Sequence, residues 1–313
     1  MTIFYLALER ILLLFMFILA GYVLVKVKAL PRTSGEVLSK LENNLLIPAL
    51  VFSTFASSFK IEKIAVAWKL FALGGIVCAV MILFSWIVVP RITKDKFTQN
   101  IYTYGLVFSN FGFMGNAIVS AVFPDIFLEY LIFTLPMWTL IYVWGVPCLL
   151  IPRENGNRFI GRLKSFINPM FIAMLLGVAV GITGYSLPDF LLSAIDTAGE
   201  CMSPVSMILT GVIVASSTLG RVLKNGSIYV MSFIRLLLLP IIGIFVFYVF
   251  RVQEAYYICT VCALAMPLGL NIMVIPSGYG KDTSLAAGAI IISHLLSAIT
   301  IPFVFAIMSQ LIR

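Results

Sequence analysis

The sequence predicts an all-α, polytopic membrane protein of ten transmembrane helices arranged as two inverted five-helix repeats, with helices 4 and 9 broken. Three observations carry this reading. Hydrophobic residues make up 61% of the 313 positions and charged residues 11%, whereas charged residues are about a quarter of an ordinary soluble domain. Apolar stretches of about 20 residues, the length that takes a helix across the hydrocarbon core, recur from end to end with short hydrophilic gaps between them. Two of these stretches, at corresponding places in the two halves, are interrupted in mid-span by glycine, proline and amide residues.

The spans run in order as follows. The first, 4–25, lacks a basic segment before its apolar run and a small-residue cleavage site, so it reads as a retained helix rather than a signal peptide. The second, 36–58, carries Pro48, and the third is 64–89. The fourth, 100–123, is interrupted by the run from Ser109 through Asn110, Gly112 and Gly115 to Asn116, and the fifth is 127–151. The longest hydrophilic gap, 152–167, follows and divides the chain into halves 1–155 and 156–313. The sixth span, 168–184, holds a G-x-x-x-G at Gly177 and Gly181, a packing signature. The seventh, 190–215, carries Pro204, the eighth, 228–250, carries Arg235, and the ninth, 255–277, is interrupted from Pro267 to Asn271 and contains Pro276. The tenth, 283–309, carries His294, the single histidine. Five is odd, so two such halves joined end to end enter the membrane from opposite sides, which defines an inverted repeat. Aligning Pro48 with Pro204 sets Asn44 against Glu200, each four residues before its proline.

Charge reads as topology. Lys26, Lys28, Arg32, Lys40, Arg91, Lys94, Lys96, Arg153, Arg158, Arg162, Lys164, Arg221, Lys224 and Lys281 fall in one set of gaps. The opposite set holds Lys60, Lys63, Lys69 and Arg251 beside Asp125, Glu129 and Asp189. The excess of Lys and Arg marks the cytoplasmic side and places both termini outside, in a multi-pass protein of the cytoplasmic membrane. The net charge of +8 is therefore not a nucleic-acid signal. The five cysteines all lie inside apolar spans and read as small buried hydrophobes; Cys259 and Cys262 form a C-x-x-C with no second pair nearby, so neither a metal nor a cofactor is expected.

Lipid offers no hydrogen bonds to a freed peptide group, so an interrupted span persists only where protein, water or a ligand supplies them. A half-helix N-terminus offers unpaired N–H groups and roughly half a positive charge, which suits a carboxylate, while unwound carbonyls and asparagine amides suit Na+ or a hydroxyl. Asn110, Gly112, Gly115, Asn116, Pro267 and Asn271 are therefore the candidate substrate-binding residues, against the plainer reading that the amides and glycines only pack helices together. Ionisable groups within spans add Arg235 as an anion-attracting candidate, and Glu200, His294 and Asn44 as candidates for coupling to H+ or Na+. Asp196 sits one turn from Glu200 but nearer the outer end, and Glu42 reads as a boundary residue at the inner surface.

Three motifs now carry a resemblance. The run from Asn43 through Pro48 to Phe52, the run Asn110-x-Gly-Phe-Met-Gly115, and the stretch from Pro267 through Asn271 to Tyr279-Gly280-Lys281-Asp282 together resemble the auxin efflux carrier family, including its bacterial malonate and malate permease-like members. The resemblance implies that helices 4 and 9 cross near the midplane, that helices 1, 2, 6 and 7 form a scaffold beside a moving six-helix bundle, and that the protein is a homodimer. The sequence departs from the family where a proline usually follows the second glycine of the helix 4 motif, since Ala117 stands there. The break in helix 4 is then expected to rest on Gly112, Gly115, Asn110 and Asn116, a weaker instruction than proline's missing N–H. No nucleophile–base pair or paired acidic motif points to an enzyme. The expected function is a secondary carrier moving small carboxylates by alternating access. A sensor or channel of the same fold, or a carrier of a non-acid solute, stands as the alternative, and the acid, the direction and the coupling ion stay open.

Overall fold

The computed structural model describes residues 2–58, 61–151, 169–216, 220 and 224–311. The halves' boundary at 155/156, together with Lys60, Arg153, Arg158, Arg162, Lys164 and Arg221, lies outside the described residues. These are helical throughout, and an isolated antiparallel bridge between Ser109 and Leu268 stands in place of any sheet. The first half contains α1 (Thr2–Lys26), α2 (Ser34–Leu41), α3 (Ile47–Ser58), α4 (Ile61–Ile92), α5 (Lys96–Val107), α6 (Asn116–Val122) and α7 (Phe127–Leu140). The second contains α8 (Pro169–Thr183), α9 (Asp189–Glu200), α10 (Met202–Ser216), α11 (Gly226–Phe233), α12 (Leu239–Phe250), α13 (Glu254–Ala265), α14 (Asn271–Gly278) and α15 (Ser284–Leu311).

Widened π-type turns join several of these pieces into longer rods: Glu42–Leu46 between α2 and α3, Phe111–Gly115 before α6, Ile141–Leu150 after α7, and Ile234–Leu238 between α11 and α12. Such turns frequently mark functional sites. Five continuous rods are long and apolar enough to cross a bilayer, Trp68–Ile92, Pro124–Leu150, Asp189–Ser216, Gly226–Phe250 and Ser284–Leu311, with shorter apolar helices beside them. The protein is thus a polytopic membrane protein.

Burial separates two kinds of helix. Large apolar side chains stand exposed along α1 (Leu12, Met16, Leu19), α4 (Ile76, Val80, Leu83), α12 (Ile241, Phe245, Val249) and α15 (Leu295, Ile299, Phe303), forming the lipid-facing belt. By contrast, α13 from Tyr257 onward and α14 from Asn271 to Pro276 are buried on every side. A helix apolar all round belongs in an interior, and the two interrupted rods occupy it.

The packing follows a swapped pattern. In the first half α4 packs along α5 and α7, and in the second α12 packs along α13 while α11 packs along α15; α1 lies along α10, as α8 lies along α3. Gly177 serves that last contact, for a Cβ there would stand 2.7 Å from the Phe52 carbonyl oxygen. Gly112 and Gly115 do not act as the expected breakers. Both sit inside the widened turn Phe111–Gly115, where Gly112 makes room for the Trp138 indole and Gly115 for the Tyr130 hydroxyl. The break lies upstream, at Phe108–Asn110.

Candidate functional site at the crossing of two broken helices

The end of α13 has a local cause. Met266 precedes Pro267, whose ring disfavours helical backbone at the residue before it, and Met266 is extended at φ −68°, ψ 146°. The chain runs through Pro267–Leu270 and restarts as α14 at Asn271. No proline follows Phe108, yet it too is extended, at φ −115°, ψ 98°. Its carbonyl abuts Gly269, where a Cβ would be 3.0 Å away. The Asn110 amide donates to the Pro267 carbonyl at 2.8 Å, and the Ser109 hydroxyl donates to the Ala263 carbonyl at 2.7 Å. The two interruptions meet back to back, and each supplies the other's missing partners.

Asn110 then starts the next half-helix. Its side-chain oxygen accepts the Met114 amide at 3.3 Å, and its own carbonyl accepts the Gly115 amide at 2.9 Å, the five-residue spacing of a widened turn. Its Nδ2 lies 3.0 Å from His294 Nε2, and His294 Nδ1 lies 2.8 Å from the Ile290 carbonyl oxygen. A carbonyl only accepts, so Nδ1 carries the proton and Nε2 accepts from the asparagine: a neutral imidazole with both nitrogens engaged. On the other strand of the crossing, Asn271 Nδ2 donates to the Tyr104 hydroxyl at 2.9 Å, while Asn271 Oδ1 has no partner. The Leu268 amide reaches the Ser293 hydroxyl at 3.4 Å. Asn110 is 1% exposed, and Asn271 and His294 are also buried.

Arg235 supplies the electrostatic frame. It is fully enclosed, and it donates from Nη1 to the Leu106 carbonyl (2.9 Å), from Nη2 to Ala263 (2.7 Å) and from Nε to Met266 (3.1 Å). These carbonyls belong to the C-terminal ends of α5 and α13. A helix C-terminus carries roughly half a negative charge, so two of them offset about one guanidinium.

The other sequence candidates lie elsewhere. Asn44 is exposed, its amide donating to the Lys40 carbonyl at 2.8 Å, and Glu200 is exposed as well. Asp196 accepts from the Ser53 hydroxyl and lines a cavity of about 360 Å³ with Ser57, Tyr185 and Asp189. Asn116 opens α6, with its amide oxygen buried and unpartnered. Sequence reasoning missed Tyr104, Ser109 and Ser293, although Ser109 and Ser293 adjoin the named Asn110 and His294. It also took Glu42 for a boundary residue. Glu42 is instead 0% exposed, one turn from the buried Ser39 and Leu46.

Comparison with known proteins places the chain among transport proteins. A family model described as membrane transport protein matches residues 6–305. An uncharacterized transporter of Methanothermobacter thermautotrophicus is 24% identical over 300 residues, covering 94% of this chain and 96% of the relative.

Proposed function

Because the chain belongs to the membrane transport protein family, as its auxin efflux carrier motifs implied, we propose that it is a secondary carrier moving small carboxylates across the cytoplasmic membrane by alternating access. The observation that carries this reading is the buried crossing itself. Asn110 and Pro267 join the two breaks at 2.8 Å, Arg235 is engaged by the helix C-termini, and the two half-helices that restart beyond the breaks begin with about half a positive charge each, one unit together. That is the charge of one carboxylate. The unpartnered Asn271 Oδ1 beside it accepts a hydrogen bond and so favours an acid that also carries a hydroxyl.

Ten spans in two inverted repeats, 1–155 and 156–313, are part of the same proposal. What supports them is the swapped packing of α1 on α10 and α8 on α3, of α4 on α5 and α12 on α13, and of α4 on α7 and α11 on α15. Breaks in the fourth rod of each half support them further. Alternating access follows from such repeats when one bundle rocks against the other around a fixed midplane site.

Uptake of a labelled carboxylate panel into proteoliposomes, under a proton gradient, a sodium gradient, a membrane potential or none, tests the reading. Saturable uptake of one acid that Asn110→Ala abolishes in folded protein is the expected result. Folded wild-type protein that moves no acid would overturn the substrate class.

A further inference from the structure

Glu42 takes no part in the crossing or its supports, yet it is the most deeply enclosed carboxylate among the described residues. It opens the widened turn Glu42–Leu46, is 0% exposed, and among the described residues has no polar neighbour other than the Ser206 hydroxyl. The Ser206 hydroxyl on α10 faces it but makes its own hydrogen bond to Met202 Sδ at 3.3 Å. The helices packed against this turn are α2, α3, α8, α9, α10 and α14. Of these, α3, α8, α10 and α14 carry no charged side chain. On α2, Glu36 and Lys40 pair with each other at the surface at 2.8 Å. On α9, Asp189 and Asp196 line the distant cavity, and Glu200 is exposed. Among the described residues of these helices, no cation faces Glu42.

An unpaired carboxylate in a low-dielectric interior is so costly that the group takes up a proton instead. A metal ion is the poorer occupant, because it needs several converging donors, and among the described residues no group of three acidic, histidine or cysteine side chains exists. Residues on either side of Glu42 also hold the half-helix after the second break. The Ser39 hydroxyl donates to the Val274 carbonyl of α14, and Asn43 Nδ2 reaches the Val274 and Ile275 carbonyls at 3.4 and 3.5 Å. These bonds tie α14 to the segment that buries Glu42, and α14 itself packs on the widened turn.

We propose that Glu42 is a proton-binding site, protonated while α14 rests on α2 and releasing its proton to water when α14 withdraws, so that movement of the broken helix is coupled to H+. The exchange is Glu42–COOH to Glu42–COO⁻ with the proton passing to a water molecule. Only the coupling to substrate rests on the carrier reading; the proton site does not.

Infrared spectroscopy of the full-length protein in liposomes tests the site without any substrate. At neutral pH the wild type should show a carboxylic-acid C=O band that Glu42→Gln and Glu42→Leu both lack, Gln being the close mimic of the protonated acid. In D₂O that band should shift with time, and faster in Ser39→Ala/Asn43→Ala, where α14 is untethered. A band that survives Glu42→Gln, or a shift rate indifferent to the tethers, would overturn the proposal. In transport, Glu42→Gln should keep substrate exchange and lose accumulation driven by a pH gradient, and retained pH-driven accumulation would overturn it as well. If wild-type protein moves no carboxylate while the band behaves as described, the carboxylate reading fails and the proton site stands.

Discussion

The second broken rod stops where its own sequence tells it to, with Met266 held extended by Pro267, whereas the first stops at Phe108 with Ser109, not proline, following. Phe108 is instead fixed from outside its rod: its ring lies 6.2 Å from Trp144, and its carbonyl lies against Gly269. One break is a local instruction and the other is a tertiary one, templated on the first. Two breaks that meet need not each be encoded locally, provided that one is and the other is held against it.

Arg235 serves both breaks, and its loss should be the largest effect. Arg235→Leu strips the guanidinium from three carbonyls, of which Ala263 keeps the Ser109 hydroxyl while Leu106 and Met266 lose their side-chain donor, each worth about 1–3 kcal/mol when buried and unsatisfied. Folded, monodisperse protein should be largely lost on size-exclusion chromatography. Arg235→Lys should rescue little, because an ammonium cannot present three nitrogens in a fixed fork. Wild-type behaviour of Arg235→Leu would mean that the C-termini need no counter-charge.

Gly112→Ala attacks the first break alone. The added methyl meets the Trp138 indole, and overpacking of this kind costs about 1–3 kcal/mol. A matching drop in thermal stability is expected, relieved when Trp138 is trimmed to Phe in the same protein. Additive losses in the double variant would show that the indole is not what Gly112 accommodates.

Asymmetry between the breaks is sharpened by hydrogen exchange. Asn110→Ala removes the Met114 cap, a loss of about 1 kcal/mol, and should speed exchange in 108–116 while leaving 266–272 near wild type. Pro267→Ala restores helical freedom at Met266 and should speed exchange in both segments. Equal spread from both variants would erase the distinction between local and templated breaks.

Much of the architecture was legible because its causes are local. Hydropathy located the rods, and Pro267 located the second break. The first was read across Ser109–Asn116, on its glycines and amides together; the structure narrows it to Phe108–Asn110, where the Asn110 amide is held by the Pro267 carbonyl, 157 positions away by the numbering of that bond. Arg235 stood out as a buried charge, but its partners are backbone carbonyls, which no side-chain pattern reveals. Glu42 was misread because Lys40, two residues earlier, marks the membrane surface; helical phase, not depth, decides that it faces inward.

The smallest expected effect concerns how the two rods begin. Asp95 caps α5 by accepting the Thr98 amide at 2.8 Å, whereas Gln253 makes no side-chain cap for α13. The rod with the weaker break therefore has the firmer start. The Thr98 backbone amide, with its hydroxyl second, holds the Asp95 carboxyl below the usual carboxylate range. A group depressed in this way contributes stability above its unfolded value of about 3.9, and loses that contribution as pH falls through its lower folded value. Acidification should therefore loosen the start of α5 but not that of α13, and Asp95→Asn should remove the pH dependence while keeping part of the cap. Exchange of the 96–100 amides followed from neutral pH to below pH 4 reads this directly. A start of α5 that stays equally protected across that range would mean the cap adds nothing to a helix already held by its packing against α4.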